Sequence, residues 1–553
     1  MRRKIRVFTL ATCLPMALLA MGARFLWAKA PGPTSTALTG HVSSSKDGPM
    51  EGVLVSARKE GSTFTVTVVS DKDGTYSFPR TNLGPGSYQL HIRAIGYELD
   101  DPGTLKVSTQ KTTAVNLKLH ELADISHQMT TQEWLQSVPG TQEQKMELAG
   151  CGGCHTLQRV LTSHHTADEF MSIFERMSSY YVEVNGQRPE KSGQPSRFSP
   201  SEKVKQRAEY FSSLNLSKME KYNYELKSLP RPTGRSTQVI YTEYDLLRKD
   251  RAPHDVAVDH DGNVWYTDSG WEKIGKLDPK TGKVTEYSIQ QFKPDEPVGP
   301  VDLEIDKDGN LWPGLNEQNQ VAKFDIKTAE FKYWDPTTSG LKSTPFVMPY
   351  HDDVDQKVWI TDLASIGRMD LKSGEFERFD VFKNVPGGPR GHLVYQIMAD
   401  SQNNCFFLDW PGGGVGEVDA KTGEVFFYPT PTRNSFSRRG HIDSQERFWF
   451  AEFYADQIGM FDTKTRIFKE WPVPDKWTFP YEANIDKNGY VWTSGHNSDR
   501  LQRLDPKTGE VIQYLLPRST DARKIDFQDS RDGVVLWMPN KSEGSIVRVQ
   551  VAE

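Results

Sequence analysis

One short phrase recurs through the C-terminal half of the chain and restricts its fold more than any other feature. It reads Asp278-Pro-Lys-Thr-Gly282, Asp325-Ile-Lys-Thr328, Asp370-Leu-Lys-Ser-Gly374, Asp419-Ala-Lys-Thr-Gly423, Asp462-Thr-Lys-Thr465 and Asp505-Pro-Lys-Thr-Gly509, with successive aspartates 43–49 residues apart. An aromatic stands upstream in each unit, at Trp265, Trp312, Trp359, Phe406, Trp449 and Trp492, and Trp537 opens a seventh unit that lacks its last strand. A four-stranded unit of this period cannot bury its faces alone, and stacking such units around an axis gives a β-propeller. A donor for the missing strand lies upstream, because Gln238-Val-Ile-Tyr-Thr-Glu-Tyr244 repeats the pattern of Thr281-Gly-Lys-Val-Thr-Glu-Tyr287. The sequence therefore predicts a seven-bladed propeller over 236–553, its last blade closed by a strand near residue 240.

At about 150 residues per domain, a chain of 553 residues needs further cores. From 37 to 121, short β-rich runs such as Val53–Ala57, Phe64–Ser70 and Tyr88–Ile95 alternate with turns such as Asp71-Lys72-Asp73-Gly74 and Gly84-Pro85-Gly86. That pattern predicts a small β-sandwich. From 128 to 228 the period becomes helical. Ser or Thr is followed three residues later by Glu or Gln at Thr130–Glu133, Thr141–Gln144, Thr166–Glu169 and Ser199–Glu202, each the signature of a helix start. Phe170, Ile173, Phe174 and Met177 share one helix face, as do Val204, Ala208, Phe211 and Leu214. The stretch 184–195 reads as an exposed loop.

The N-terminus joins a basic start, Met1–Arg6, to an apolar run ending near Trp27 and the triplet Ala28-Lys29-Ala30. This predicts a secretory signal peptide over 1–30, with an uncleaved anchor as the alternative, and a periplasmic or otherwise exported protein. No later segment reaches the roughly 20 apolar residues of a membrane span. Cys13 belongs to the signal, and Cys405 reads as a core residue of an apolar strand.

The remaining cysteines form Cys151-Gly-Gly-Cys154-His155, the C-x-x-C-H signature of covalent haem attachment. In that reading both thiols add to haem vinyl groups and His155 gives the iron an axial nitrogen. A zinc site would need further close ligands, and a thioredoxin-like dithiol a βαβ setting. The candidate sixth iron ligand is Met177, by its position on a helix after His155, with Met171 on the same helix, His164 or His165, or an open site as alternatives. Ala208-Glu-Tyr-Phe-Ser-Ser-Leu-Asn215 resembles the last helix of class I cytochromes c, and the resemblance implies a haem-packed helical domain over 128–228. The expected fold class is thus multidomain and mainly β: a small β-sandwich, an α-helical cytochrome c domain and a seven-bladed β-propeller.

Two other resemblances bear on function. Gly40-x-Val42, Gly52-Val53-x-Val55, Asp73-Gly74-x-Tyr76-x-Phe78, Gly86-x-Tyr88 and Gly96-Tyr97 resemble the carboxypeptidase regulatory-like domain, which implies an accessory module. The segments Pro253–Asp268 and Trp449–Gly459 resemble virginiamycin B lyase (streptogramin lyase) propellers. That resemblance implies a metal-assisted, usually magnesium-dependent, C–O eliminating lyase. Its usual Trp-Phe-Thr-Glu stands here as Trp449-Phe-Ala-Glu452.

Counting back eleven residues from the blade aromatics places His254, Tyr395, Arg438 and Tyr481 on innermost strands, followed by Asp255, Gln396, Arg439 and Glu482, with Asp302 alongside. The channel mouth should therefore be polar, with His254, Arg438 and Arg439 available to an anion. His392, His441 and His496 fall near strand ends, as bases, metal ligands or plain loop polarity. The catalytic candidates are His254, Arg438, Arg439, His441, Glu452 and His496. The Asp259-x-Asp261-Gly262 type of motif is a hairpin turn rather than a calcium loop.

A net charge of −6 gives no basic surplus for phosphate contacts, so nucleic acid is not an expected partner. The expected function is an exported c-type cytochrome with one haem c, serving a redox partner protein or a small-molecule donor. The alternatives are a lyase using Mg2+ on the propeller, and a non-catalytic surface binding module.

Overall fold

The computed structural model describes residues 36–181, 183, 189, 191, 196, 198–385, 390–531 and 533–552. The expected signal segment with Cys13, and most of the expected loop 184–195, lie outside the described residues.

Six consecutive four-stranded antiparallel units cover 253–288, 300–334, 347–379, 394–429, 437–472 and 480–515. A seventh is built from strands Asp526–Gln528, Val534–Asn540 and Ser545–Val551 and completed by Val239–Asp245 from the front of the repeat. Innermost strands of blades 1 to 6 pack on one another in turn, Asn484 and Glu482 of blade 6 bond the backbone of Ile525 at the start of blade 7, and blade 1 packs on blade 7, closing the ring.

The repeat residues explain how each blade holds its shape. In the Asp-x-Lys-Thr phrase the aspartate caps the tight turn before the outer strand: Asp278 Oδ1 accepts from Lys280 N at 2.9 Å, and the same contact recurs at Asp325, Asp370, Asp419, Asp462 and Asp505. The hairpin aspartates clamp the blade tryptophans. Asp259, Asp306, Asp443 and Asp486 accept from the indole Nε1 of Trp265, Trp312, Trp449 and Trp492 at 2.7–3.0 Å. A buried indole N–H needs such a partner, and the carboxylates are thereby occupied as turn acceptors.

The sandwich is not a separate bead. Its strand Phe64–Val69 pairs antiparallel with Val239–Asp245, setting Thr67 opposite Tyr241, so one eight-stranded sheet runs from the seventh blade into the sandwich. The pairing covers an outer edge that a propeller blade would otherwise leave open.

The segment between them carries helices α1 (Thr131–Ser137), α2 (Gln142–Ala149), α3 (Gln158–Leu161), α4 (Ala167–Met177) and α5 (Glu202–Leu214). Capping boxes at Thr130, Thr141 and Thr166 start α1, α2 and α4 as the sequence predicts. At α5 the cap is Ser201, whose side chain accepts from Val204 N, two residues later than expected.

The expectation of an independent helical cytochrome domain is corrected. These are short helices, and their core of Trp134, Leu135, Leu148, Leu161, Phe170 and Phe211 is continuous with Phe453, Trp477, Phe479 and Tyr481 of the propeller. Gln132 N donates to Asn497 O at 2.8 Å, and Gln132 Nε2 donates to Lys476 O and Thr478 Oγ1. The segment is a cap seated on blades 5 and 6. Among the described residues no helix is long and apolar enough to cross a membrane.

Candidate functional site

Where the cap meets the propeller, the ends of the innermost strands form a cluster of buried charge. His254 and Asp255 come from blade 1, and His254 Nδ1 lies 2.8 Å from Asp255 Oδ1. Arg439 of blade 5 crosses the axis to hold both oxygens of Asp255 at 2.8 and 2.7 Å, and reaches Asp302 of blade 2 at 3.2 Å. Lys524 of blade 7 pairs with Glu304 of blade 2 at 2.7 Å, and His441 Nε2 sits 3.1 Å from Glu482. Burial raises the Asp255 carboxyl, but Arg439 and His254 outweigh it and hold the group below the usual carboxylate range. Asp302 goes the other way: burial, with Glu304 and Asp255 nearby, lifts it well above that range. The axial channel is therefore filled by this network.

Above the network lies the mouth. Arg523 is gripped by Asp521 at 2.9 and 3.0 Å, His496 Nδ1 stands 2.9 Å from Asp521, and Lys541 is 3.7 Å from it. Glu183, carried by the cap, places its carboxylate 2.8 Å from Arg523, 3.5 Å from His254 Nε2 and 3.6 Å from Lys541. Arg438 is boxed by aromatics, its guanidinium 3.8 Å from the centre of the Tyr481 ring and 4.3 Å from that of Phe453, and its Nε donates to Tyr395.

Of the sequence candidates, the structure gathers His254, Arg438, Arg439, His441 and His496 about the channel. Glu452 is set beside Glu470 and Ser435 in blade 5. His392 pairs with Asp409 at 2.7 Å in blade 4. Sequence reasoning missed Glu183, Asp521, Arg523, Lys524 and Lys541. Three of them were within reach of a better count. Trp265, Trp449 and Trp492 stand opposite residues eight positions earlier, whereas Trp537 stands opposite Asp526, eleven earlier. The seventh hairpin is three residues longer, so its mouth residues are Asp521–Lys524.

Cys151 and Cys154 straddle the junction. Cys151 Sγ lies 3.9 Å from Arg207 among the cap helices, while Cys154 feels Lys541, Glu183, Arg523 and Asp521 of the mouth. The carbonyl of Gly153 accepts from Lys541 and Arg523 at 3.4 and 3.5 Å. Burial raises both thiols and lowers the His155 imidazole, whose Nδ1 is 3.0 Å from Thr156 O.

These surroundings do not fit a haem. The space beside Cys154 and His155 is about 20 Å³, lined by polar groups including His496, Asn497, Asp521 and Lys541, where a ligand of that size needs an apolar pocket of roughly 300–1,000 Å³. Met177 is 38 % exposed at the end of α4, His164 Nδ1 is 3.0 Å from Leu216 O, and His165 lies beside Glu169. The expected haem c and its electron-transfer function are therefore overturned. A magnesium ion is no better served. The mouth carboxylates Glu183, Asp521 and Asp255 already face Arg523, Lys541 and Arg439, and among the described residues no three His, Cys, Asp or Glu side chains are placed to hold a metal ion.

Residues 232–439 match the Virginiamycin B lyase family, and residues 37–120 match the carboxypeptidase regulatory-like domain. No curated protein matches the chain. Among solved structures, virginiamycin B lyase from Staphylococcus aureus is 19 % identical, with a TM-score of 0.49 over 57 % of this chain and 99 % of its own. A streptogramin B lyase structure is 21 % identical, with a TM-score of 0.49 over 58 % of this chain and 100 % of its own. The WD40 repeats of RRP9 are 11 % identical, with a TM-score of 0.44 over 56 % and 97 %. The propeller region is thus virginiamycin B lyase-like and the N-terminal region carboxypeptidase regulatory-like. The family match falls on the propeller, and no match to a cytochrome accompanies it.

Proposed function

We propose that the chain is an exported eliminating lyase whose chemistry sits at the mouth of the propeller channel. The observation that carries this reading is the family match over 232–439, whose first innermost strand, Pro253–Val258, supplies the His254–Asp255 pair. Asp255 fixes the imidazole through Nδ1 and leaves Nε2 directed at the mouth, the arrangement of a positioned general base. His254 Nε2 takes a proton from the carbon next to a carbonyl, the freed electron pair forms a C=C bond, and the C–O bond one carbon further on breaks. Arg523 and Lys541, which pair with Glu183 at the mouth, would offset the negative charge on the departing oxygen. The N-terminal segment and the accessory sandwich support an exported location.

Incubating the full chain with quinupristin, used as a probe ester, with and without Mg2+, tests the reading by mass spectrometry. Elimination opens the ring at unchanged mass and creates an absorbing conjugated double bond, whereas hydrolysis adds one water. His254→Ala should lower turnover by about 10²–10⁴-fold, the usual contribution of a general base. Full activity in His254→Ala, or products that all carry an added water, would refute the assignment.

A further inference from the structure

The mouth holds a carboxylate that the propeller does not supply. Glu183 reaches it from the cap, where the neighbouring Tyr181 is buried against Gly299: a Cβ on that glycine would come within 2.5 Å of the Tyr181 hydroxyl. The Glu183 carbonyl accepts from Ser269 Oγ, pinning the backbone on blade 1. Its side chain is 20 % exposed, while Arg523, Lys541 and His254 are 2–4 % exposed.

Those three groups are oriented by residues other than Glu183. Asp521 grips Arg523 through Nε and Nη2, which leaves Nη1 directed at Glu183 and at the Tyr481 hydroxyl, 3.1 Å away. Asp255 holds His254 by Nδ1 and so presents Nε2. Asp521 is also the nearest carboxylate to Lys541 after Glu183. The propeller thus prearranges a guanidinium, an ammonium and an imidazole around one point, and a buried set of that kind binds a carboxylate far better than a solvated surface lysine does. Burial opposes ionisation of Glu183, yet Arg523 and Lys541 hold it well below the usual range, as expected for a carboxylate seated in a matched site.

We propose that the point filled by Glu183 is a carboxylate-binding site of the propeller, and that Glu183 occupies it as the chain's own stand-in for a small carboxylate-bearing ligand. The site is defined by Arg523, Lys541 and His254, with Asp521, Asp255 and Tyr481 holding them in place. Truncating Glu183 leaves a vacancy of the right size and charge for a free carboxylate.

The test uses acetate as the probe on the full chain, with chloride at equal ionic strength as the control. Calorimetry should show saturable acetate binding to Glu183→Ala at least about tenfold tighter than to the wild type, the equivalent of one good charged contact. Acetate should also restore thermal stability that the variant loses in chloride. Glu183→Gln, which fills the same space without charge, should bind acetate no better than the wild type does. In Glu183→Ala combined with Arg523→Met, the tighter binding should disappear. Equal acetate binding by Glu183→Ala and wild type overturns the proposal, as does binding that survives loss of Arg523 or that appears equally in Glu183→Gln. Should Glu183→Ala fold only with help, recovery in acetate but not chloride supports the site, and no recovery in either overturns it. Binding is scored without turnover, so the outcome is independent of the lyase reading.

Discussion

Glu452 offers a sharp test of how burial controls charge in this ring. It ends the strand Arg447–Glu452 of blade 5 and is fully buried. Burial first, and the nearby charge of Glu470 second, push its carboxyl up to about 9. In the unfolded chain the same group titrates near the ordinary glutamate value of 4.5. Between those two pH values the folded protein holds one more proton than the unfolded chain, so stability is greatest below the lower value and falls as pH rises. The slope is about 1.4 kcal/mol per pH unit, and the whole window amounts to roughly 6 kcal/mol before the curve flattens near the upper value. Glu452→Gln keeps the shape and cannot ionise. We expect the variant to match the wild type within about 1 kcal/mol near pH 5, and to exceed it steadily as pH approaches 9. Urea unfolding of both proteins at intervals across that range measures the difference, in which other titrations cancel. A difference that does not change with pH would refute the assignment of a buried, protonated Glu452.

Arg439→Met should cost about 3–5 kcal/mol, because it strands Asp255 and Asp302 in the core; combining it with Asp255→Asn should cost less than the two separate losses summed, read from thermal or urea unfolding. Gly440→Ala should prevent blade 5 from closing, since the added carbon would lie 1.8 Å from the carbonyl oxygen of Trp449. Gly84→Ala, where nothing lies within 4 Å, is the control expected to leave soluble yield and melting temperature unchanged.

The ring was legible because its signals are local. An Asp-x-Lys-Thr turn and an aromatic hairpin recur at fixed offsets, and each repeats one hydrogen bond that the structure shows directly. Val239–Asp245 as closing strand was legible for the same reason, since it copies an outer strand. The pairing of Thr67 with Tyr241 was not, because strand-edge pairing between distant segments leaves no pattern in either. The mouth was half legible. His254, Arg438 and Arg439 follow from the repeat, but Arg523 is displaced by a longer hairpin and Glu183 arrives from outside the repeat altogether. The C-x-x-C-H motif misled because a motif reports spacing alone. Here one thiol lies by Arg207 and the other by the mouth charges, with little space beside them.

The charges along the axis explain why fold and site cannot be separated here. Seven inner strands around a channel leave a centre too wide for backbone pairing to span and too narrow to hold bulk water around ions. Here side chains bridge it: Arg439 ties blade 5 to blades 1 and 2, and Lys524 ties blade 7 to blade 2. Such buried pairs add little net stability over apolar packing, but removing one member is expensive. Asp255 belongs to both tasks, taking Arg439 on one side and orienting His254 on the other. A change in the axial staple must therefore reach the imidazole at the mouth. Because the same network fills the channel below, the lyase reading requires a reactant to approach from the face the cap covers, past Glu183 and the cations that hold it.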